Sequence, residues 1–387
     1  MARLGELCII QSGGTPSRHN KAYWENGRIP WVKISDIKDK YLDTTEECIT
    51  ELGLEKSSAK IFPAGTILYT IFATLGEVCV LNIDAATNQA IAGIQLESSQ
   101  VEKDYLYHYL LSLKSTVNNI GRGVAQNNIN MTILRKFEIS LPSLDEQHRI
   151  VVVLDKVNDL INKRRQQLDK LDELVKSRFV EMFGDPVTNS LELEMLPMTS
   201  VCEIIDGDRG ENYPKAEDFS EEGYCLFLNA KNVTASGFNF DTCMYITKEK
   251  DESLRKGKLK RGDVVLTTRG TLGNLSYYTD KIPYDNIRIN SGMVILRMKQ
   301  EVIDEIYFIE QFKFQLDDIK SKIASGSAQP QLPISTMNKI QILIPEIRKQ
   351  KEFASFVRQI DKSKSAIQKS LKKLETLKKS LMQEYFG

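Results

Sequence analysis

The apolar residues of this chain keep two rhythms, and each rhythm occurs twice. The first is that of short strands. Leu7-Cys8-Ile9-Ile10 runs into the turn cluster Ser12-Gly13-Gly14-Thr15-Pro16, and Ile29 to Ile34 forms a second apolar run. Phe62-Pro63-Ala64-Gly65 turns into Thr66-Ile67-Leu68-Tyr69-Thr70, Gly76 turns that strand back into Val78-Cys79-Val80-Leu81, and Ile91 to Leu96 adds another. Tyr105 to Lys114 then takes a helical period. The second half repeats the order: Lys260-Arg261-Gly262-Asp263 before Val264 to Thr268, the run Ser291 to Leu296, and a helical stretch from Tyr307 to Ile323.

The second rhythm is a heptad. Ile150, Leu154, Val157, Ile161, Arg164, Leu168, Leu171 and Val175 fall alternately four and three apart, as do Phe353, Val357, Ile360, Lys364, Ile367, Leu371 and Leu374. Such a seam, with charged residues between its positions, predicts long helices that pack on one another. A helix from about Glu146 to Met182 would be roughly 55 Å long at 1.5 Å per residue. Each seam is too narrow for a globular core face and carries one basic interruption, Arg164 or Lys364. The simplest arrangement pairs the two helices antiparallel about a pseudo-two-fold axis; the alternative leaves each packed on its own domain. Gly184-Asp185-Pro186 stops the first helix and marks the domain boundary.

The repeat is literal in places. Phe183-Gly184 and Phe386-Gly387 close the two halves at an offset of 387 − 184 = 203, which also places Pro142 on Pro345, Gln147 on Gln350, Leu168 on Leu371 and Ala125-Gln126 on Ala328-Gln329. Gly76 matches Gly273 at 273 − 76 = 197, so the loops between matched strands differ in length. Such loops fit two recognition domains of different specificity, and neutral drift after duplication explains them as readily. The expected fold is α+β: two tandem α/β domains, residues 1–144 and 198–347, with helices 145–184 and 348–387 forming an antiparallel coiled coil and 185–197 as linker.

Composition narrows the function by exclusion. With 52 basic and 52 acidic residues the chain has no net charge, so it lacks the basic excess of a free-standing nucleic-acid binder, though clustered basic residues are compatible with that role. No apolar run approaches a membrane span and the N-terminus lacks a signal peptide, which reads as cytoplasmic. The six cysteines include no C-x-x-C pair and the three histidines form no ligand set, so no metal site is expected. P-loop, G-x-G-x-x-G, G-x-S-x-G and N-P-P-[YF] motifs are all missing, and no nuclease-like carboxylate pair stands out. Asp36-Ile37-Lys38-Asp39 reads as a solvated turn.

Polar loops carry the remaining chemistry. Gly121-Arg122-Gly123-Val124-Ala125-Gln126-Asn127-Asn128 sets an arginine and three amides on a glycine frame, and Ala324 to Leu332 is its counterpart. Gln and Asn match adenine bidentately, and Arg matches guanine or phosphate. The plainer reading, amides that cap the following element, is weakened by finding the loop in both halves. Thr267-Thr268-Arg269-Gly270-Thr271 matches Thr70-Ile71-Phe72-Ala73-Thr74, with Arg in one half against apolar residues in the other. Ser12 to Arg18 and Asp206-Gly207-Asp208-Arg209-Gly210 are equivalent first loops, each with one arginine able to meet phosphate.

The layout resembles the specificity subunit of type I restriction-modification systems. The resemblance spans the chain. It rests on Leu4-Gly5-Glu6 with Ser12-Gly13-Gly14-Thr15-Pro16, on Ile29 to Ile37, on the strands after Gly65 and Gly262, on the Ala-Gln loops, and on Ile139-Ser140-Leu141-Pro142-Ser143-Leu144-Asp145-Glu146-Gln147 before the long helix. The second half departs from the pattern: its first loop lacks Gly-Gly-Thr-Pro, and Pro330 replaces Asn127. The resemblance implies that 1–144 and 198–347 are target-recognition domains, each reading half of a split, asymmetric sequence in double-stranded DNA. The helices would be a spacer that also docks two methyltransferase subunits, which hold S-adenosylmethionine and flip the base. Restriction/translocase subunits with ATP and Mg would complete the complex. This chain would itself be non-catalytic, with no cofactor and no membrane contact. The candidate DNA-binding residues are Arg18, Lys33, Thr74, Arg122, Gln126 and Asn128 in the first domain, and Arg209, Lys231, Arg269, Arg288, Ser325 and Gln329 in the second. Three other readings stay open: a specificity subunit of another restriction class paired with a fused nuclease-methyltransferase, a coiled-coil adapter with no DNA role, and an enzyme in its own right.

Overall fold

A computed structural model describes residues 1–114, 116–117, 129–324 and 331–387, and of 322–324 the backbone alone. Arg122, Gln126, Asn128, Ser325 and Gln329 therefore lie outside the described residues. The chain is α+β and divides into two compact units, residues 1–166 with 368–387 and residues 167–367. Each long helix changes unit midway, so the units cut across the blocks read along the sequence.

The first unit is built on an antiparallel sheet of β1 (Cys8–Ser12), β2 (Ile67–Thr70), β3 (Val78–Leu81) and β4 (Ile91–Leu96), in spatial order β1-β4-β2-β3 with Tyr41–Leu42 at the edge. Every residue of β2 and β3 is buried, which is why Ile67-Leu68-Tyr69-Thr70 and Val78-Cys79-Val80-Leu81 show no alternation of apolar with charged residues. The run at Ile29 ends as a strand at Val32, because Lys33 donates its N–H to the Asp36 carboxylate and turns the chain into a short 3₁₀ segment. Ile29–Val32 centres a second sheet with Glu47–Ile49, Ala85–Thr87 and Ile61–Phe62.

Helix α1 (Lys103–Ser112) buries Tyr105 to Leu110 against the first sheet. Helix α2 (Leu144–Phe183) begins beside the N-terminal end of α1. What fixes the start of α2 is Gln147, which is wholly buried. Its Oε1 accepts the Glu102 N–H at 2.8 Å, and its Nε2 donates to the carbonyls of Gln100 at 2.8 Å and Pro142 at 2.9 Å. Three backbone groups that would otherwise be orphaned at the entry to α1 and α2 are thus satisfied by one side chain. Farther along α2, Asp155 meets Lys40 at 3.0 Å and His108 Nε2 at 2.8 Å, and Lys40 also meets Asp104 at 3.0 Å. Lys40 and His108 hold the Asp155 carboxyl below its usual range against the burial that would raise it. A carboxylate only accepts, so His108 carries its proton on Nε2. Burial outweighs Asp155 and depresses the imidazole pKa.

The second unit repeats this plan. Strands β5 (Cys202–Asp206), β6 (Val264–Thr267), β7 (Leu275–Tyr277) and β8 (Met293–Met298) take the order β5-β8-β6-β7, the same as β1-β4-β2-β3. Helix α3 (Glu305–Ala324) packs beside them, and α4 (Ile347–Phe386) follows. Gln350, also wholly buried, accepts the Asp304 N–H at 3.0 Å and donates to the carbonyls of Val302 at 3.1 Å and Pro345 at 2.8 Å. Even the tyrosine hydroxyls correspond: Tyr105 donates to the Ser140 carbonyl and Tyr307 to that of Leu343, each at 3.1 Å.

Within each unit the long helices pack antiparallel. In the first, Leu381, Met382, Tyr385 and Phe386 join the core around Ile150, Val151 and Leu154, while Arg165 meets Glu375 at 2.9 Å. In the second, Asp172 meets Lys364 at 2.5 Å and Arg178 meets Glu352 at 3.7 Å. There the seam ends in an aromatic cluster, Phe179 lying 5.0–5.6 Å from Phe183, Tyr307, Phe314 and Phe353. The basic seam residue Lys364 is accommodated by its ion pair with Asp172 rather than by a gap in the packing.

Candidate nucleic-acid interface

In both units three loops meet at one edge of the first sheet, and the same backbone contacts assemble them. The turn after β2 is held by Thr70, whose hydroxyl donates to the Thr74 carbonyl and accepts the Glu77 N–H. Thr267 does the same after β6, donating to Thr271 and accepting from Asn274. Gly76 and Gly273 close these turns at φ +80° and +92°, a left-handed backbone that favours glycine. A Cβ on Gly273 would also lie 2.3 Å from the Leu316 side chain on α3.

The turns are then tied to the segment that follows the glutamine-bearing loop. The Ile129 N–H donates to the Ile71 carbonyl at 3.0 Å, and the Leu332 N–H to the Thr268 carbonyl at 3.1 Å. Arg269 also forms a bridge with Gln331. A third strand contributes from the far side: Ile71 N–H bonds the Ala90 carbonyl, and Thr268 N–H that of Gly292, both at 2.8 Å. The first loop reaches the same place, Gly13 donating to the Ile91 carbonyl at 3.1 Å. In the second unit Arg209 donates to the Ser291 carbonyl and the Asp206 carboxylate, each at 3.2 Å.

The candidate residues distribute unevenly over this frame. Arg209 and Arg269 are brought together, since Arg209 binds Ser291 and the Arg269 Cβ would lie 3.8 Å from a Cβ on the adjacent Gly292. Lys231 is exposed, and its neighbour Ala230 lines a cavity of about 590 Å³ with Val233, Gly270, Thr271, Leu272 and Lys320. Thr74 is exposed on the turn after β2. Arg18 and Lys33 sit apart from that turn, joined through Glu47, with the Arg18 guanidinium 3.7 Å from the Trp24 ring centre. The hydrogen bonds that Lys33 donates to the Glu46 and Glu47 carboxylates raise its pKa.

Arg288 corrects an expectation. It is 5% exposed, its Nε bonds the Asp251 carboxylate, and its other nitrogens donate to the carbonyls of Lys256, Asp251 and Leu254. Burial would raise the Asp251 pKa, but Lys258 and Arg288 lower it. Arg288 therefore stitches the fold, buried and with four of its five N–H donors engaged within the protein. A search of the sequence for polar readers also passes over Phe72, which occupies the position of Arg269 at an offset of 269 − 72 = 197 and is 38% exposed. The signal lies in the repeat: an apolar residue where the other half carries a guanidinium.

Among the described residues no group of three or more His, Cys, Asp and Glu side chains could hold a metal ion, and no helix is long and apolar enough to cross a membrane.

The α+β frame is thus duplicated and presents different side chains from matched loops. The family of type I restriction modification DNA specificity domains matches residues 1–170 and 191–379, and the chain belongs to it. It is a specificity subunit of a type I restriction-modification system, the component that recognises DNA sequence. The MjaIX specificity subunit of Methanocaldococcus jannaschii is 26% identical over 98% of this chain and 90% of its own. The EcoR124I/EcoR124II specificity subunit of Escherichia coli is 30% identical over 46% of this chain and 45% of its own. In three dimensions the fold is shared with the type I S subunit of M. genitalium, at a TM-score of 0.57 and 16% identity over the whole of this chain and 95% of that one.

Proposed function

We propose that each unit reads one half of a split, asymmetric target in double-stranded DNA, and that α2 and α4 fix the gap between the halves. The observation that supports this is the duplicated loop frame: identical backbone bonds hold the turns after β2 and β6, while their tips carry Phe72 and Arg269. A frame kept constant while its exposed tip varies suits two readers that differ only in target. Arg269, Arg209 and Lys231 are the donors that meet bases and phosphates from the second unit.

In this reading the chain has no catalytic step and no cofactor of its own. Two methyltransferase subunits dock on the helices and bring S-adenosylmethionine. Restriction/translocase subunits, with ATP and Mg, complete a cytoplasmic complex. The balanced net charge fits a reader whose partners also grip the duplex.

Modified-base sequencing of host DNA with and without the gene tests the proposal. A split methylated motif that disappears on deletion is the expected result. Exchange of residues 1–142 for those of another specificity should change one half of the motif only, and a change in both halves would overturn the division of labour.

A further inference from the structure

The turn after β2 is a curious place to expose a phenyl ring. Phe72 is 38% exposed although the first unit has an apolar core close by, with Ile71 and Leu75 on either side of the tip both buried. The next residue, Ala73, sits at φ +59°, in the left-handed region that a Cβ disfavours. Its counterpart Gly270 has φ +71° without that penalty. Both tips therefore share one backbone shape, so Phe72 and Arg269 are presented from the same point of the frame. The Thr70 and Thr267 hydroxyls and the bonds from Ile129 and Leu332 hold both tips on either side.

Two chemistries at one address imply two ligands of matching chemistry. A guanidinium is suited to the O6 and N7 acceptors of guanine in the major groove. A phenyl ring has no donor for any base edge. The one apolar group that the major groove offers is the thymine 5-methyl. We infer that Phe72 is a specificity-determining residue of the first unit and reads a thymine methyl, at the place in its half-site where Arg269 reads guanine in the other. This rests on the assignment of the loops to DNA reading.

The contact is tested by removing the methyl from the DNA and the ring from the protein. The complex containing this chain first selects from a randomised duplex library, which gives its motif. Each thymine of that motif is then replaced by uracil, which deletes one methyl and leaves every hydrogen-bonding group in place. The intact complex should lose affinity roughly four-fold at one position of the first half-site, the worth of about one buried methyl. With Phe72→Ala that position should become indifferent to the replacement while the other half-site keeps its preferences. Phe72→Arg should shift the same position towards guanine. If a complex that selects a motif responds to uracil identically with and without the Phe72→Ala substitution, the inference falls while DNA reading stands. If the intact complex selects no motif, the reading of the loops falls first. A minor-groove wedge would instead make Phe72→Ala reduce DNA bending with no response to uracil, which also overturns the methyl contact.

Discussion

Gln147 and Gln350 allow the interior of the repeat to be tested twice in one molecule. Each accepts one backbone N–H and donates to two backbone carbonyls, with no exposure to water. Replacing Gln147 with Met keeps the length of the side chain and removes all of its polar partners. Three hydrogen bonds at about 0.5–1.5 kcal/mol each put the loss between roughly 1.5 and 4.5 kcal/mol. The upper end is favoured because the Glu102 N–H and the carbonyls of Gln100 and Pro142 are left buried and unpaired. Amide exchange reads the effect at the site. At about 1.4 kcal/mol per factor of ten, a loss near 3 kcal/mol lowers protection of the Glu102 amide on the order of 100-fold. Gln350→Met should do the same to the Asp304 amide. Protection at Glu102 that changes less than about three-fold in Gln147→Met would refute the idea that this side chain locks the entry to α2.

Three further outcomes follow from the same geometry. Arg288→Met leaves the buried Asp251 carboxylate with Lys258 alone and should destabilise the second unit by about 3–5 kcal/mol, read by urea unfolding, while the salt slope of DNA binding stays unchanged. The depressed His108 pKa means that the unfolded chain binds the proton first, so stability should decline as pH falls below the ordinary value of 6.5. The lowered Asp155 pKa adds a second loss as pH falls below 3.8, and His108→Gln should abolish the first decline but only weaken the second, which Lys40 still supports, as thermal unfolding across pH would show. Gly270→Ala places a Cβ in open space but in a left-handed backbone, so it should cost about 1 kcal/mol in stability, and Ala73→Gly, which removes a Cβ from the same backbone region, should raise stability by a similar amount in a denaturant titration.

Strands and helices were legible where local pattern decides them. Val78–Leu81 and Ile91–Leu96 fall where the apolar runs placed them, because turn residues bound both. The heptad seams foretold helix-on-helix packing, and the Pro142-to-Gln147 repeat marked a real device, although its three hydrogen bonds could not be read from spacing. What escaped depends on partners distant in sequence. Arg288 looked like a surface cation because nothing near it in sequence announces Asp251, 37 positions earlier. Asp36 read as part of a solvated turn, and what the sequence did not show is that its carboxylate also ends a strand by capping the Lys33 N–H. Arg18 and Lys33 were chosen for their charge, yet Glu47 already engages both. Phe72 was matched to Arg269 in the repeat but left out of the candidate readers because it carries no polar group, and its exposure at the turn is what the sequence did not announce.

The midway change of unit along α2 and α4 has a temporal side. Tyr105 and Tyr109 of α1 pack against Phe386, at ring separations of 5.1 and 5.9 Å, so the first unit closes on a residue 386 − 105 = 281 positions downstream of Tyr105. During synthesis its sheet can form early, but its core stays open on one side until α4 has left the ribosome. At about 5–20 residues per second that interval is some 14–56 seconds, long enough for exposed apolar surface to need protection. The second unit has its own wait of a different kind: Phe179 and Phe183 are made before their partners Tyr307 and Phe353, and must stay unpaired until those arrive. Vectorial folding, domain by domain, is thus closed to this chain, and the first unit reaches its final packing only after α4 has been made.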